Sequence, residues 1–247
     1  MSGRGAERIL DAVEWFATTT TSVSYTDFVQ ALDVPKSSGL LLLQLLVKRN
    51  YVERLADNRY RLVRLPGESV EGGATWGTIL RLAERHLHEA VASVGESAFV
   101  AVLEDGRIRY LNKILPQREI RYDRDIAPTR LPHQVASGLV FLADFDPAAL
   151  EEYCSQVGLA PSERAELEDL LVAIRRDGFA VNINGVVEGA SGAAAPVRDA
   201  RGRVVAAINI SGPRERFISN LDAVKAAVAS VGRAVTAEVA HRTRKSM

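Results

Sequence analysis

An α+β fold in two parts is what this sequence predicts. A winged helix–turn–helix spans residues 1–65, a linker 66–74, and a mainly antiparallel sheet flanked by helices occupies residues 75–247. Three observations carry that reading. Helical periodicity breaks at Asp33-Val34-Pro35, resumes at once, and then gives way to alternating residues between Tyr51 and Leu62. A run rich in Pro, Gly and Glu, from Pro66 to Gly73, marks a boundary between domains. Beyond it, hairpin signals are interspersed with helical stretches, as in a sheet of neighbouring strands with helices laid over it.

Taken in order, residues 6–17 place Ile9, Leu10, Val13 and Phe16 at helical spacing, which predicts a first helix packed on the elements that follow. Thr18-Thr19-Thr20-Thr21 reads as a β-branched loop. Ser24, with Asp27 three residues on, opens a short helix ending near Leu32. Pro35 suits the first turn of the next helix, which runs from Lys36 to about Asn50. There Gly39, Leu42, Leu43, Leu46 and Val47 share one face, which leaves Ser37, Leu40, Leu41, Gln44 and Lys48 on the other. Tyr51–Leu55 and Arg59–Leu62, joined at Asp57-Asn58, make a hairpin.

A helix of this kind followed by a hairpin suits a DNA groove. From Lys36 to Arg64 seven basic residues stand against two acidic ones, a balance of +5, whereas residues 1–35 balance at −3. The positive charge falls on the second helix and the wing, where phosphates would lie. Candidate DNA contacts are therefore Lys36, Ser37, Ser38, Leu40, Leu41, Gln44 and Lys48 on the helix, with Arg54, Arg59 and Arg61 on the hairpin. Formal net charge is zero over the 247 residues, so the whole molecule is no general polyanion binder. An apolar share of 47% and a charged share of 25% place it among soluble globular proteins. No signal peptide is evident, and no apolar run approaches the roughly 18–20 residues of a membrane span, so no membrane partner is expected. The single Cys154 cannot close an internal disulfide, which points to the cytoplasm and to a packing role.

In the second part, residues 75–94 form an amphipathic helix with Ile79, Leu80, Ala83, Leu87, Ala90 and Val91 on one side. Strands at Ser97–Leu103 and Arg107–Ile114 are joined by Glu104-Asp105-Gly106, and a long polar loop fills 116–130. Helices follow at 133–143, 147–157 and 162–177, the last closed by Gly178. Further strands are predicted at Phe179–Asn182, Ala193–Arg198 and Arg203–Ser211. A final helix over 219–241 carries Leu221, Val224, Val228, Val231, Val235 and Val239. The apolar stripes of this helix and of 75–94 are candidates for assembly.

Short strings then recur in a recognisable order. They are Leu32-Asp33-Val34-Pro35-Lys36-Ser37-Ser38, Leu42-Leu43-Gln44, Tyr51-Val52-Glu53-Arg54 and Tyr60-Arg61-Leu62. Arg130-Leu131-Pro132-His133 follows, with Gly138 and Leu142-Ala143, and then Arg175-Arg176-Asp177-Gly178-Phe179-Ala180. Ala194-Ala195-Pro196-Val197-Arg198-Asp199 and Ile208-Asn209-Ile210-Ser211-Gly212-Pro213 complete the set. In this order and spacing the chain resembles the isocitrate-lyase-regulator (IclR) family of bacterial transcription factors over nearly its full length. The resemblance implies a winged helix–turn–helix joined to a GAF-like effector-binding domain, assembled as a homodimer or homotetramer. It implies operator double-stranded DNA as a partner, and a small organic effector, an organic acid or aromatic metabolite, that alters operator affinity. A repressor of a catabolic operon is expected, with no cofactor.

Two departures bear on mechanism. Members of the family usually carry bulky polar or basic residues where Leu40 and Leu41 stand. Leucine can touch a thymine methyl but offers no hydrogen bond. Binding is then weak or dominated by the wing, or uses apolar contacts to A·T pairs, or the helix is rotated so that the leucines are buried. A ligand-sensing or scaffolding protein with weakened DNA binding is the alternative. The second departure is Leu139 together with Asn182-Ile183-Asn184-Gly185, where charged residues are common in the family. A less charged pocket would favour an aromatic or amide-bearing effector over a small dicarboxylate.

By the same resemblance, Ala136, Ser137 and Gly138 match the family's pocket helix, where small residues let a ligand approach backbone N–H groups. Gly138 would also serve close helix packing. Asn209 and Ser211 share one face of a strand, need partners when buried and match family pocket positions as ligand contacts; the alternative is that the pair faces solvent or a neighbouring subunit. His133 and Arg130 are candidate polar anchors at the pocket mouth, the alternatives being a structural hydrogen bond for His133 and the fixing of its loop for Arg130, and Asn182 and Ser191 complete the candidates from the turn across it. Gly189-Ala190-Ser191-Gly192-Ala193 has part of a nucleophile elbow but lacks its last glycine and is followed by a strand. His86, His88, His133 and His241 are scattered, without triad or metal spacing. An enzyme is not expected.

Overall fold

The computed structural model of the chain describes residues 3–19, 22–49, 51–55, 57–62 and 76–244. The linker predicted at 66–74 lies outside the described residues. Contacts divide the chain into two units, Met1–Thr78 and Ile79–Lys245.

The first unit holds α1 (Gly3–Thr18), α2 (Tyr25–Ala31), α3 (Lys36–Lys48) and the hairpin β1 (Val52–Arg54) and β2 (Tyr60–Leu62). Ser24 and Asp27 cap α2 reciprocally, Asp27 N donating to Ser24 Oγ at 3.1 Å and Ser24 N to Asp27 Oδ2 at 2.9 Å. Asp33, at φ 47°, makes the turn into α3. Tyr25 Oη donates to Lys36 O at 2.6 Å, which ties the start of α3 to α2. A Cβ at Gly39 would stand 2.5 Å from Val29 Cγ2, so the two helices approach only because position 39 has no side chain. The core joins Ala12, Phe16, Phe28, Leu43, Leu46, Val52, Tyr60 and Leu62. Phe16 stacks on Phe28 at 5.4 Å, and Trp15 meets both rings edge-on.

Three details differ from the sequence reading. Pro35 is the residue before α3 and not part of its first turn. Thr18 is still helical, because its hydroxyl donates to Trp15 O at 2.9 Å and so satisfies a β-branched side chain within the helix; Thr20 and Thr21 lie outside the described residues. The buried side of α1 is Ala12 and Phe16, while Ile9 and Leu10 are exposed at 36% and 62%. This small core reaches only the C-terminal half of α1.

In the hairpin Val52 faces Leu62 and Arg54 faces Tyr60. Leu55 N donates to Arg59 O at 2.7 Å and Asn58 N to Leu55 O at 3.0 Å, with Asn58 at φ 60°. That is a turn closed by one left-handed residue, a position asparagine tolerates. Val23 bridges to Tyr60 on the far edge.

The second unit is built on one antiparallel sheet. Its strands are β3 (Ser97–Glu104), β4 (Arg107–Tyr110), β5 (Ala180–Asn182), β6 (Ala190–Arg198) and β7 (Val204–Pro213), in the order β4-β3-β7-β6-β5. Around it stand α4 (Trp76–Val94), α5 (Ala136–Leu142), α6 (Pro147–Val157), α7 (Pro161–Asp177), α8 (Arg214–Ser219) and α9 (Leu221–Arg244). A single 3₁₀ turn, Pro132–Gln134, precedes α5 where one helix over 133–143 is predicted. Gly178 closes α7 at φ 77°, a left-handed end that glycine adopts without strain.

Strand alternation sorts β7 into two faces. Ala207, Asn209 and Ser211 lie opposite Phe99 and Ser97 on β3 and Ala194 and Gly192 on β6. Phe99, Ala101, Ala194 and Ala207 of this face join a core with residues of α5, α6 and α7. α9 runs along β6 and β7, with Val224, Val228, Val235 and Val239 wholly buried. On α4, Ile79, Ala83 and Leu87 are buried and Leu80 is partly so. Most of both apolar stripes offered for assembly is therefore buried within the chain itself. No described helix is long and apolar enough to cross a membrane.

Candidate functional site

The first candidate surface is the outer side of α3. With Gly39, Leu43 and Leu46 buried, the helix turns Lys36, Ser37, Leu40, Leu41, Gln44 and Lys48 to solvent, and Ser38 is half-buried. Leu40 is 44% exposed and Leu41 67%, so a rotation that hides the leucines does not occur. Six side chains of mixed chemistry line one uncovered helical face, two of them cationic.

The wing arginines differ in what they already touch. Arg61 pairs with Glu53, directly opposite it across the hairpin. Arg59 donates from Nε to Ser22 Oγ at 3.0 Å and from Nη2 to Ser22 O, which fastens the hairpin to the segment before α2. Arg54 is exposed and donates to Asn58 Oδ1 at 2.7 Å, so its guanidinium stands at the hairpin tip.

The second candidate is a cavity of about 40 Å³ in the second unit, over the β6–β7 face of the sheet. Its wall includes Asn209 and Ser211 of β7, Ser191 and Gly192 of β6, Ala136 of α5, and Asn182 of β5. Asn209 Nδ2 donates to Ser211 Oγ at 2.8 Å. Asn182 Nδ2 donates to Gln134 O at 2.9 Å, and Ser191 Oγ to Ile183 O at 2.8 Å, so both fix the surrounding backbone. A Cβ on Gly192 would stand 2.8 Å from Ser211 Oγ, and glycine keeps that space open. Arg130, named above as an anchor, also lines the cavity.

Three residues from the sequence reading are not among the lining. His133 Nδ1 lies 2.6 Å from the Tyr153 hydroxyl, and the His133 backbone N–H donates to that oxygen at 3.1 Å. Burial on the 3₁₀ turn holds its pKa below the ordinary histidine value. Ser137 is wholly buried, its hydroxyl 2.9 Å from Tyr110 Oη. At Gly138 a Cβ would fall on the Pro132 carbonyl, so this glycine serves close packing against the 3₁₀ turn.

Sequence reasoning missed Tyr110, Tyr122 and Arg124, which also line the cavity. The Arg124 Cζ lies 4.1 Å from the centre of the Tyr110 ring. Burial raises the pKa of the Tyr122 phenol, which is thus neutral and able to donate. Arg124 and Arg130 bring positive charge to the wall, and no acidic side chain is among the described lining residues. The expectation of a pocket with little charge came from position 139 and residues 182–185 alone, and the charge enters from the loop opposite them. Ser191 sits within β6 and not at a strand-to-helix turn, and no histidine lines the cavity among the described residues.

Comparison with known proteins places this architecture. The family model described as "Bacterial transcriptional regulator IclR C-terminal" matches residues 76–237. The chain is 27% identical over 201 residues to the glycerol operon regulatory protein of Streptomyces griseus, covering 78% of each chain. It is 28% identical over 220 residues to the HTH-type transcriptional regulator XynR of Escherichia coli K12, covering 84% of this chain and 85% of that one. Among solved structures it superposes on an IclR homolog of Microbacterium hydrocarbonoxydans complexed with 4-hydroxybenzoate. The TM-score there is 0.55 at 21% identity, over 94% of this chain and 99% of the other. With more than half its length matched by the family model, the chain belongs to the bacterial IclR family of transcriptional regulators.

Proposed function

We propose that this regulator represses a catabolic operon in the cytoplasm. It holds its operator through α3 and the wing, and releases it when a small organic effector fills the cavity over β6 and β7. The observation that carries the reading is the uncovered outer face of α3, with Lys36, Gln44 and Lys48 beside two leucines. Lysines take phosphates, Gln44 can pair with a base edge, and the leucines suit thymine methyls. Arg54 is the wing's phosphate contact; Arg59 and Arg61 shape and fasten the hairpin that presents it.

The homolog complexed with 4-hydroxybenzoate supports a small-molecule ligand in this kind of domain. Ile9 and Leu10, left uncovered on α1, give an apolar surface for pairing with a second copy. A ligand sensor with weakened DNA binding is the second reading, favoured by the absence of hydrogen-bonding groups at positions 40 and 41. Catalysis forms no part of either.

Salt dependence tests the account of the wing. The logarithm of the association constant falls with log salt by about 0.9 per phosphate neutralised. Arg54→Ala is expected to reduce that slope by about 0.9 for each wing engaged, with affinity lowered on all sequences alike. An unchanged slope in fluorescence-anisotropy titrations would remove Arg54 from the interface.

A further inference from the structure

We infer that the cavity takes a compact organic monocarboxylate, and that Arg124 is the residue that holds its charge. The inference rests on the effector-pocket reading above and narrows it to one chemical class. Arg124 lines the cavity, and its Nε and Nη2 are buried with no hydrogen-bond partner among the described residues. A buried guanidinium edge without an acceptor is costly, and arginine cannot shed its charge to escape that cost.

The carboxylates beside it in sequence are engaged elsewhere. Asp123 takes Lys113 Nζ at 2.6 Å, and Asp125 accepts from the Ala127 N–H at 2.9 Å. With the guanidinium 4.1 Å from the Tyr110 ring centre, the ring supports the cation from one side. Nε and an Nη form the planar edge that a carboxylate accepts with both oxygens. Arg130 reinforces the field, and Asn209 and Ser211 offer polar groups to the rest of the molecule. A volume of about 40 Å³ corresponds to roughly three water molecules. That space suits an acid of two to four carbons.

The test uses the full-length protein with acetate, propionate and lactate against acetamide, propionamide and lactamide, with benzoate as a larger acid. Thermal shift and release from the upstream duplex are read together for wild type, Arg124→Met and Arg124→Lys. Wild type is expected to respond to the aliphatic acids and not to their amides. Arg124→Met should weaken the acids by about 30-fold, the loss of a charge-assisted pair. Arg124→Lys should retain part of the response. Without ligand, Arg124→Met should melt no lower than wild type, since it removes an unsatisfied buried cation. A guanidinium with only a structural role would instead lower the melting temperature when removed.

Amides acting as well as acids, undiminished in Arg124→Met, would overturn the anchor and leave the effector pocket standing. Benzoate acting where none of the aliphatic acids does would overturn the size assignment. No response to any of the acids, with unaltered binding to the upstream duplex, would overturn this inference and leave the effector reading to other classes of molecule.

Discussion

Leu41→Glu is expected to cost about 100-fold in operator affinity while leaving the melting temperature unchanged. Leu41 is 67% exposed on α3, so the substitution removes little packing, and glutamate is nearly as good a helix former as leucine. Docked against a duplex, the new carboxylate would lie among phosphates and base edges with no cation opposite it. A like-charge juxtaposition of this kind costs several kcal/mol, and about 2.7 kcal/mol is 100-fold. Leu41→Gln, equally polar but neutral, should lose less than about tenfold on the same scale. Circular dichroism melts with anisotropy titrations check both halves. Full affinity in the glutamate variant would mean that this face does not meet DNA.

In the second unit, Arg216→Ala should destabilise the fold by about 3 kcal/mol, lowering the melting temperature by roughly 10 °C. Glu96 is 0% exposed, and its carboxylate takes the Arg216 guanidinium at both oxygens, Nη2 to Oε2 at 2.9 Å. Removing the partner leaves a buried anion unpaired, while the partial exposure of Arg216 keeps the loss at the lower end of the range for such pairs. Arg216 Nη1 also donates to Ile120 O at 3.2 Å, so the loop leading to Arg124 loosens as well. Adding Glu96→Gln should recover part of the loss by removing the charge. A melting shift under about 2 °C would show the pair to be dispensable.

The legible parts of the fold were those governed by near neighbours in sequence. Ser24 and Asp27 cap the same helix end, the Asp57-Asn58 hairpin closes within a few residues, and Gly178 ends α7. β6 begins three residues earlier than its apolar pattern suggests, because Ala190, Ser191 and Gly192 have low strand propensity and are held by pairing to β7. α8 went unseen because six residues carry too little periodicity.

The outer side of α3 followed from helical geometry alone. The cavity did not, since Tyr110, Arg124, Asn182 and Asn209 meet only when the sheet is assembled. Arg124 lies in an aperiodic loop where nothing local distinguishes it from Arg118 or Arg121. His133, Ser137 and Gly138 were placed by resemblance, yet the first two are engaged by Tyr153 and Tyr110 and the third by Pro132. Those partners were not visible from local spacing.

The central claim is that a named face of α3 reads duplex DNA under the control of a separate ligand-binding unit. Its most direct test is the affinity of the full-length chain for its own gene's upstream duplex and for a shuffled duplex of equal composition, both at about 150 mM salt. A preference of at least about 10³-fold for the upstream sequence is the expected result. Equal affinity for the two would contradict the account.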